Sequence, residues 1–205
     1  YSGNTEETIS GYQEAKKKSY ALAVSTVGGK LLELAQADGV TYVQLPNTGI
    51  QPRMALGFGT LSLLTLMGET DGVAEAATVS AMATDGLEAA GKALAERLYG
   101  KVPIIYASNR NQPIAYNWKI KLNETGKIPA FCNTFPELNH NEMTGFDVQP
   151  STKALSSPFH VLVLRDKEDD RRIQKRMDAL KSLYEQRGIP VDEFSFGGTG
   201  FVKIM

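Results

Sequence analysis

Short apolar runs alternate along the chain with longer segments in which apolar and polar positions recur at helical spacing. The apolar runs predict strands over residues 20–25, 40–45, 102–107, 130–134, 160–164 and 191–196. The helical spacing predicts helices over residues 5–18, 30–36, 52–67, 85–99, 113–122 and 169–186. Strands that are apolar along most of their length and alternate with helices predict an α/β fold, with helices on both faces of a parallel sheet.

Three stretches stand out from this alternation. Residues 69–85 have the weakest pattern, which predicts a boundary between two α/β units at 1–75 and 76–205. Residues 139–157 have no clear period and predict a long loop, a feature that is usually functional or disordered. Residues 52–67 open with a proline and contain the longest apolar-rich run, so we expect a buried helix there.

The charge balance excludes a global attraction to polyanions. Lys and Arg number 22 against 23 Asp and Glu, a formal net charge of -1. We therefore expect neither nucleic acid nor membrane as a partner, and an anionic substrate would need a local site. Cys132 is the one cysteine, which rules out an intrachain disulfide and suits a cytoplasmic protein. No apolar stretch reaches transmembrane length, and no signal peptide is visible.

The first residues form a candidate anion site. Ser2-Gly3-Asn4-Thr5 leads directly into the first predicted helix. Hydroxyls, free backbone N–H groups and the positive end of a helix dipole suit a phosphate without any lysine. The alternative is an ordinary capping box, in which a Ser or Thr precedes a Glu by three residues. Because the chain opens on this turn without a methionine, we expect an internal fragment of a longer chain, with a processed protein as the alternative.

Two charged residues lie at helix ends. Arg53 follows Pro52 at the start of a predicted helix, where the dipole disfavours a cation, so an anion opposite it would explain its place. Glu124 lies at the end of another predicted helix, before Thr125, Gly126 and Lys127, a position that suits a general base. A surface arginine and a solvated glutamate are the respective alternatives.

The two histidines differ in setting. His160 begins an apolar strand and is interpreted as structural. His140 lies in a polar loop after a predicted strand, where the active sites of parallel sheets gather. The nearby Glu137 and Glu142 give a Glu-x-x-His-x-Glu pattern, but no further His or Cys cluster completes a metal site, so we expect no metal.

Taken together, these strings resemble the bifunctional phosphoglucose/phosphomannose isomerases of the sugar-isomerase (SIS) superfamily. The SIS phosphate loop, Ser-x-Ser-Gly-x-Thr-x-Glu-Thr, is similar from its second serine onward to Ser2-Gly3-Asn4-Thr5-Glu6-Glu7-Thr8. The arginine, the glutamate turn and the string Asn139-His140-Asn141-Glu142 follow in family order. The resemblance implies two SIS-like units, each a parallel sheet flanked by helices, with the first unit truncated and a C-terminal helix missing.

The resemblance also implies the roles of the site residues. Ser2 and Thr5, and more weakly Thr8, would bind the substrate phosphate. His140 would open the sugar ring from the neighbouring subunit of a homodimer. Glu124 would move a proton between C2 and C1 through a cis-enediolate whose charge Arg53 compensates. No cofactor is implied.

The reaction so implied interconverts glucose 6-phosphate, and mannose 6-phosphate as a second aldose, with fructose 6-phosphate. A non-catalytic SIS module that senses a phosphosugar is the main alternative, although it has no need of Glu124 and His140 together. A dinucleotide-binding protein ranks lower, because Gly197-Gly198-Thr199-Gly200 lacks the spacing of the G-x-G-x-x-G motif.

Overall fold

The computed structural model describes residues 1–197 and 200, in two compact units, Tyr1–Ser80 and Ala81–Met205. The sequence pattern puts the boundary after residue 75, and in the structure the division between the two units follows Ser80, five residues later. The glycine-rich string at 197–200 and the apolar segment after it lie largely outside the described residues.

The first unit is built around two parallel strands. Its elements are α1 (Glu6–Lys17), β1 (Ala23–Thr26), α2 (Gly29–Asp38), β2 (Thr41–Gln44), a 3₁₀ turn (Pro52–Met54), α3 (Leu56–Met67) and α4 (Thr70–Ala76). A further 3₁₀ turn, Ala77–Ala81, follows α4.

Helices α1 and α2 pack together against β1 through a small apolar core that includes Tyr12, Val24 and Leu31. The Tyr12 hydroxyl donates to Asp38 Oδ2 at 2.9 Å, and Lys16 pairs with the same carboxylate. These contacts lower the pKa of Asp38, first through the Lys16 hydrogen bond, and join α1 to the end of α2.

The expectation that residues 52–67 form a buried helix is wrong in two respects. Arg53 lies in the separate 3₁₀ turn rather than in the first turn of α3. Within the described chain, Ser62 is the one α3 residue that is buried, where its hydroxyl lies 2.6 Å from that of Ser25. Leu63 and Met67 are 58% and 62% exposed. The two-stranded sheet covers one side of α3, whereas the apolar residues of α3 lie on all sides of the helix.

The second unit contains a four-stranded parallel sheet in the order β4-β3-β5-β6. Its elements are α5 (Asp85–Leu98), β3 (Val102–Ser108), α6 (Gln112–Glu124), β4 (Phe131–Phe135), α7 (Glu142–Gly145), α8 (Lys153–Ser156), β5 (Phe159–Arg165), α9 (Arg171–Gln186) and β6 (Val191–Ser195). Short 3₁₀ turns occupy Asn109–Asn111 and Glu137–Asn139.

Alternate residues of the central strands point to opposite faces of this sheet. Ile104 and Tyr106 of β3 face a core that includes Met177 and Leu180 of α9. Ile105 of β3 faces a second core formed with helices α5 and α6. The prediction of a parallel sheet with helices on both faces is therefore confirmed for this unit.

The interpretation of His160 as a structural residue is confirmed. The side chain is buried near the start of β5, and its Nε2 lies 3.0 Å from Asp192 Oδ2. Arg97 of α5 donates to the same oxygen at 2.9 Å. These contacts join β5, β6 and α5 at the amino-terminal edge of the sheet.

Candidate functional site

The first candidate site is the turn that precedes α1. Gly3 adopts a positive φ of +77°, and Thr5 stands at the N-cap position of α1. Among the described residues, the Thr5 side chain makes no capping hydrogen bond, so the capping-box alternative is wrong. Ser2, Thr5 and Thr8 are all exposed, and the first backbone N–H groups of α1 have no partner within the helix.

A second glycine turn lies against the first one. Gly3 O accepts a hydrogen bond from Leu31 N, and Asn4 Oδ1 accepts one from Lys30 N, both at 2.9 Å. Gly29 has a φ of +72°, and a Cβ there would lie 2.6 Å from Ser2 O. The start of α2 therefore lies beside the start of α1, so the positive ends of two helix dipoles are close together.

This second turn is the part of the site that the sequence analysis did not assign. Val27-Gly28-Gly29 follows β1, and paired glycines between a strand and a helix are a signal of close backbone approach. Thr26 is buried at the end of β1, and its hydroxyl donates to Tyr1 O at 3.0 Å. The paired glycines were visible in the sequence, but their contact with the turn before α1 could be identified only from the three-dimensional structure.

Arg53 lies in the same unit as the phosphate-loop residues, at the middle of the 3₁₀ turn before α3. Its side chain is partly buried. Glu124 and His140 belong to the other unit. The structure therefore places Ser2 and Thr5 in the turn before α1 and Thr8 in the first turn of that helix. The remaining predicted site residues lie in three other elements.

Glu124 is the exposed last residue of α6. The turn after it is held by hydrogen bonds from Asn123 Nδ2 to Ile128 O at 2.9 Å and from Thr125 N to Lys121 O at 2.9 Å. Lys127 adopts a φ of +55°, in the left-handed region. The carboxylate is thus presented to solvent from a turn with a fixed backbone.

His140 is exposed and ends the 3₁₀ turn that follows β4. Its backbone N–H donates to Glu137 O at 2.9 Å, while Leu138 is fully buried in the core beneath the turn. Glu142 begins α7 two residues later, and its carboxylate accepts hydrogen bonds from Tyr106 and Asn133. The predicted loop of residues 139–157 therefore contains α7 and α8, which are too short to give a period in the sequence.

Glu124 and His140 lie at opposite ends of the strands in the second unit's sheet. Strands β3 and β4 are parallel, so α6 must run from the end of β3 back to the beginning of β4. Glu124 ends that return path, whereas His140 follows the far end of β4. The five residues of β4 span about 16 Å. Within one chain, the length of β4 therefore lies between the ends at which these two residues stand.

Two further properties concern the described residues, 1–197 and 200. They bring no three His, Cys, Asp or Glu side chains into an arrangement that could hold a metal ion. They also include no helix with the length and apolar character needed to cross a bilayer.

Comparison with known proteins links the chain to one family. The model of the bacterial phospho-glucose isomerase C-terminal SIS domain matches residues 87–205. The bifunctional phosphoglucose/phosphomannose isomerase of Aquifex aeolicus is 35% identical over 92% of this chain and 58% of its own length. The protein of the same name from Caldicellulosiruptor bescii is 38% identical over 89% and 57%. The D-glucosamine-6-phosphate 4-epimerase of Sulfolobus acidocaldarius is 32% identical over 83% and 55%.

Solved structures share the fold at low sequence identity. The C-terminal domain of glucosamine-fructose-6-phosphate aminotransferase from Francisella tularensis has a TM-score of 0.64 and 15% identity, covering 99% of this chain and 64% of that one. Tagatose-6-phosphate ketose/aldose isomerase from Escherichia coli has a TM-score of 0.62 and 17% identity, covering 99% and 56%.

The chain spans less than three fifths of the length of the two bifunctional isomerases. The family model, by contrast, covers more than half of this chain, including every strand of the second unit. The chain therefore belongs to the family of bacterial phosphoglucose isomerases with a C-terminal SIS domain.

Proposed function

We propose that the protein of which this chain is part is a cytoplasmic aldose–ketose isomerase. It interconverts glucose 6-phosphate, and also mannose 6-phosphate, with fructose 6-phosphate. The observation that carries this proposal is the pair of glycine turns that brings the starts of α1 and α2 together beside exposed hydroxyls. Two helix amino termini and uncharged donors suit a dianionic phosphate.

The phosphate loop fixes one end of the substrate. Ser2 and Thr5 donate their hydroxyl protons to phosphate oxygens, together with backbone N–H groups, and Thr8 adds a weaker contact. The binding energy so obtained holds the carbonyl end of the sugar in place for proton transfer.

The chemical steps then need three further groups. His140 transfers a proton at the ring oxygen, so that the cyclic sugar opens to its carbonyl form. Glu124 takes the proton from C2 of the aldose and returns it to C1. The resulting cis-enediolate carries negative charge on its oxygens, and the Arg53 guanidinium compensates that charge.

We infer that the working protein is a homodimer in which His140 serves the neighbouring subunit's site. The separation of Glu124 and His140 along β4 supports this inference, because both groups must reach the same few carbon atoms of one sugar. A second copy of the chain supplies the missing histidine without any change in the fold of either copy.

The proposal is tested with Glu124→Gln in the full-length protein. This change removes the base and keeps the side chain's shape, so isomerisation should fall by at least the roughly 10²–10⁴-fold assigned to general acid–base catalysis. Binding of sugar phosphate should remain nearly intact, since the phosphate loop supplies most of the ground-state affinity.

The measurement is exchange of the sugar C2 proton with solvent, followed by NMR in deuterated water. Glu96→Gln, on an exposed position of α5, is a matched control and should exchange that proton at the wild-type rate. If Glu124→Gln also exchanges the proton at the wild-type rate, another residue is the base. If the wild-type protein shows no exchange with any hexose 6-phosphate, the isomerase proposal itself fails.

A further inference from the structure

The Glu142 carboxylate is bound by two donors from the sheet. The Tyr106 hydroxyl of β3 donates to Glu142 Oε1 at 2.6 Å, and Asn133 Nδ2 of β4 donates to Oε2. Tyr106 and Asn133 are partners in the register of β3 and β4. Both donors therefore come from adjacent positions on rigid strands, and they hold a side chain that begins a helix of only four residues.

Both donors are fixed in orientation. Asn133 Oδ1 accepts a hydrogen bond from Thr134 N at 2.8 Å, which turns the amide nitrogen toward Glu142. The Tyr106 ring is fully buried and packs edge-on against Phe135. Burial raises the pKa of Tyr106, so its hydroxyl remains a proton donor at neutral pH. The carboxylate thus accepts one bond at each oxygen from groups that cannot turn away.

Glu137 provides a contrast on the other side of His140. It is exposed, and its carboxylate accepts one long hydrogen bond, from Asn141 Nδ2 at 3.4 Å. Glu137 and Glu142 stand three residues before and two residues after the histidine. They share the same chemistry, but Glu142 alone of the two is connected to the sheet.

We propose that Glu142 is a positioning residue for His140, which it holds in place by anchoring the start of α7 to β3 and β4. This inference rests on the role proposed above for His140. Each oxygen of the Glu142 carboxylate accepts a hydrogen bond from a neutral donor of the sheet. Arg187 makes separate contacts with α7 and the residues after it: it donates to Met143 O at 3.3 Å and pairs with Asp147.

A carboxylate is needed at this position because both of its partners are donors. A glutamine at position 142 has one acceptor oxygen and must turn its NH₂ group toward either Tyr106 or Asn133. If the NH₂ group faces Asn133, two donors meet; if it faces Tyr106, the tyrosine hydroxyl must accept and its own buried proton loses its acceptor. Either way one of the two sheet contacts is weakened, even though the side chain keeps its size. Tyr106→Phe removes the tyrosine hydroxyl, one of the two donors to Glu142, and keeps the ring in the core.

The experiment compares Glu142→Gln and Tyr106→Phe in the full-length enzyme, each made in the wild-type and in the His140→Ala background. Glu137→Gln is the matched control. In the wild-type background we expect both variants to lower kcat about 10-fold with little change in KM, since a misplaced catalytic group costs turnover more than binding. In the His140→Ala background the same changes should cost less than about 2-fold, because residues that act through one group are not additive.

Hydrogen exchange of the His140 amide gives a readout that does not depend on activity. Glu142→Gln and Tyr106→Phe should raise the exchange rate of this amide, and Glu137→Gln should leave it unchanged. Equal losses of kcat in the two backgrounds, or an unchanged exchange rate, would overturn the positioning role. Full activity of His140→Ala would instead overturn the proposed function of the histidine, and the exchange measurement would still decide whether Glu142 anchors the loop.

Discussion

Thr5 shows most directly what a single residue contributes to the candidate site. Its hydroxyl stands at the N-cap of α1 without capping the helix, so it is available to a ligand. Thr5→Ala should weaken binding of a non-isomerisable hexitol 6-phosphate by about 1–3 kcal/mol, the value of a hydrogen bond to a charged group. Isothermal titration calorimetry measures this difference.

Ser10→Ala is the matched control for Thr5→Ala, because it removes an exposed hydroxyl from the same helix outside the phosphate turn. Its affinity should equal that of the wild type. Equal affinity for Thr5→Ala as well would remove this residue from the phosphate site.

At this scale the sequence indicates some site residues and conceals others. Ser2 and Thr5 lie three positions apart in a short segment rich in hydroxyl residues, so their shared turn could be predicted. Glu142 meets a tyrosine 36 positions earlier in the chain. Contacts of that separation depend on strand register and on the path of a loop, and neither has a local signal.

Among the elements, the two glycine turns are the most sensitive to side-chain volume. A Cβ at Gly3 would lie 1.8 Å from Gly28 O, and its φ of +77° disfavours any other residue. Gly3→Ala should therefore push the starts of α1 and α2 apart. We expect a loss of hexitol 6-phosphate binding together with a free energy of unfolding lower by more than about 1 kcal/mol.

Gly11→Ala provides the comparison, because Gly11 lies within α1 and a Cβ there meets nothing within 4 Å. Alanine at this helical position should raise the free energy of unfolding by about 0.5–1 kcal/mol and leave binding unchanged. Urea unfolding and calorimetric titration of both variants test the pair. A Gly3→Ala protein that binds like Gly11→Ala would contradict the arrangement of the turns.

The order of elements was predictable because strand and helix periods differ and most elements here are long enough to show one. The burial of α3 was not predictable, because an apolar helix in a sequence does not reveal how much of the sheet will cover it. Helices α7 and α8, of four residues each, complete barely one turn and leave no repeat to detect.

At the scale of the whole molecule, the free energy of unfolding should fall at high pH, because the pKa of a buried tyrosine is raised in the folded state. Burial raises the pKa of Tyr184 to about 12, whereas an unfolded chain ionises its tyrosines near 10. The stabilisation is complete below about pH 10 and is lost as pH rises toward 12. Tyr184→Phe should reduce the slope of unfolding free energy against pH in this window by about 1.4 kcal/mol per pH unit.

Urea unfolding between pH 9 and 12 measures that slope. Tyr99→Phe is the control, because Tyr99 is 91% exposed and its substitution should leave the slope unchanged. The same slope for wild type and Tyr184→Phe would show that Tyr184 ionises equally in both states.

The proposed assembly predicts that two impaired proteins can complement each other. Glu124→Gln and His140→Ala should each retain only a small, measurable residual activity alone, whereas a mixed dimer has one site with both intact groups. Mixing equal amounts, with subunit exchange, should recover up to about one quarter of wild-type activity, because half the dimers are mixed and each has one working site of two. A fully active monomer in sedimentation experiments would contradict the dimer.

The placement of Glu124 and His140 at opposite ends of β4 also has a consequence for gene dosage. A copy that carries Glu124→Gln and His140→Ala together would disable both sites of any dimer it joins, since each site then lacks one group. Activity in a mixed population would fall as the square of the wild-type fraction, so that equal expression of the two alleles leaves one quarter. In such an enzyme, a copy that lacks only one group acts as a partially recessive allele, and a copy that lacks both is dominant.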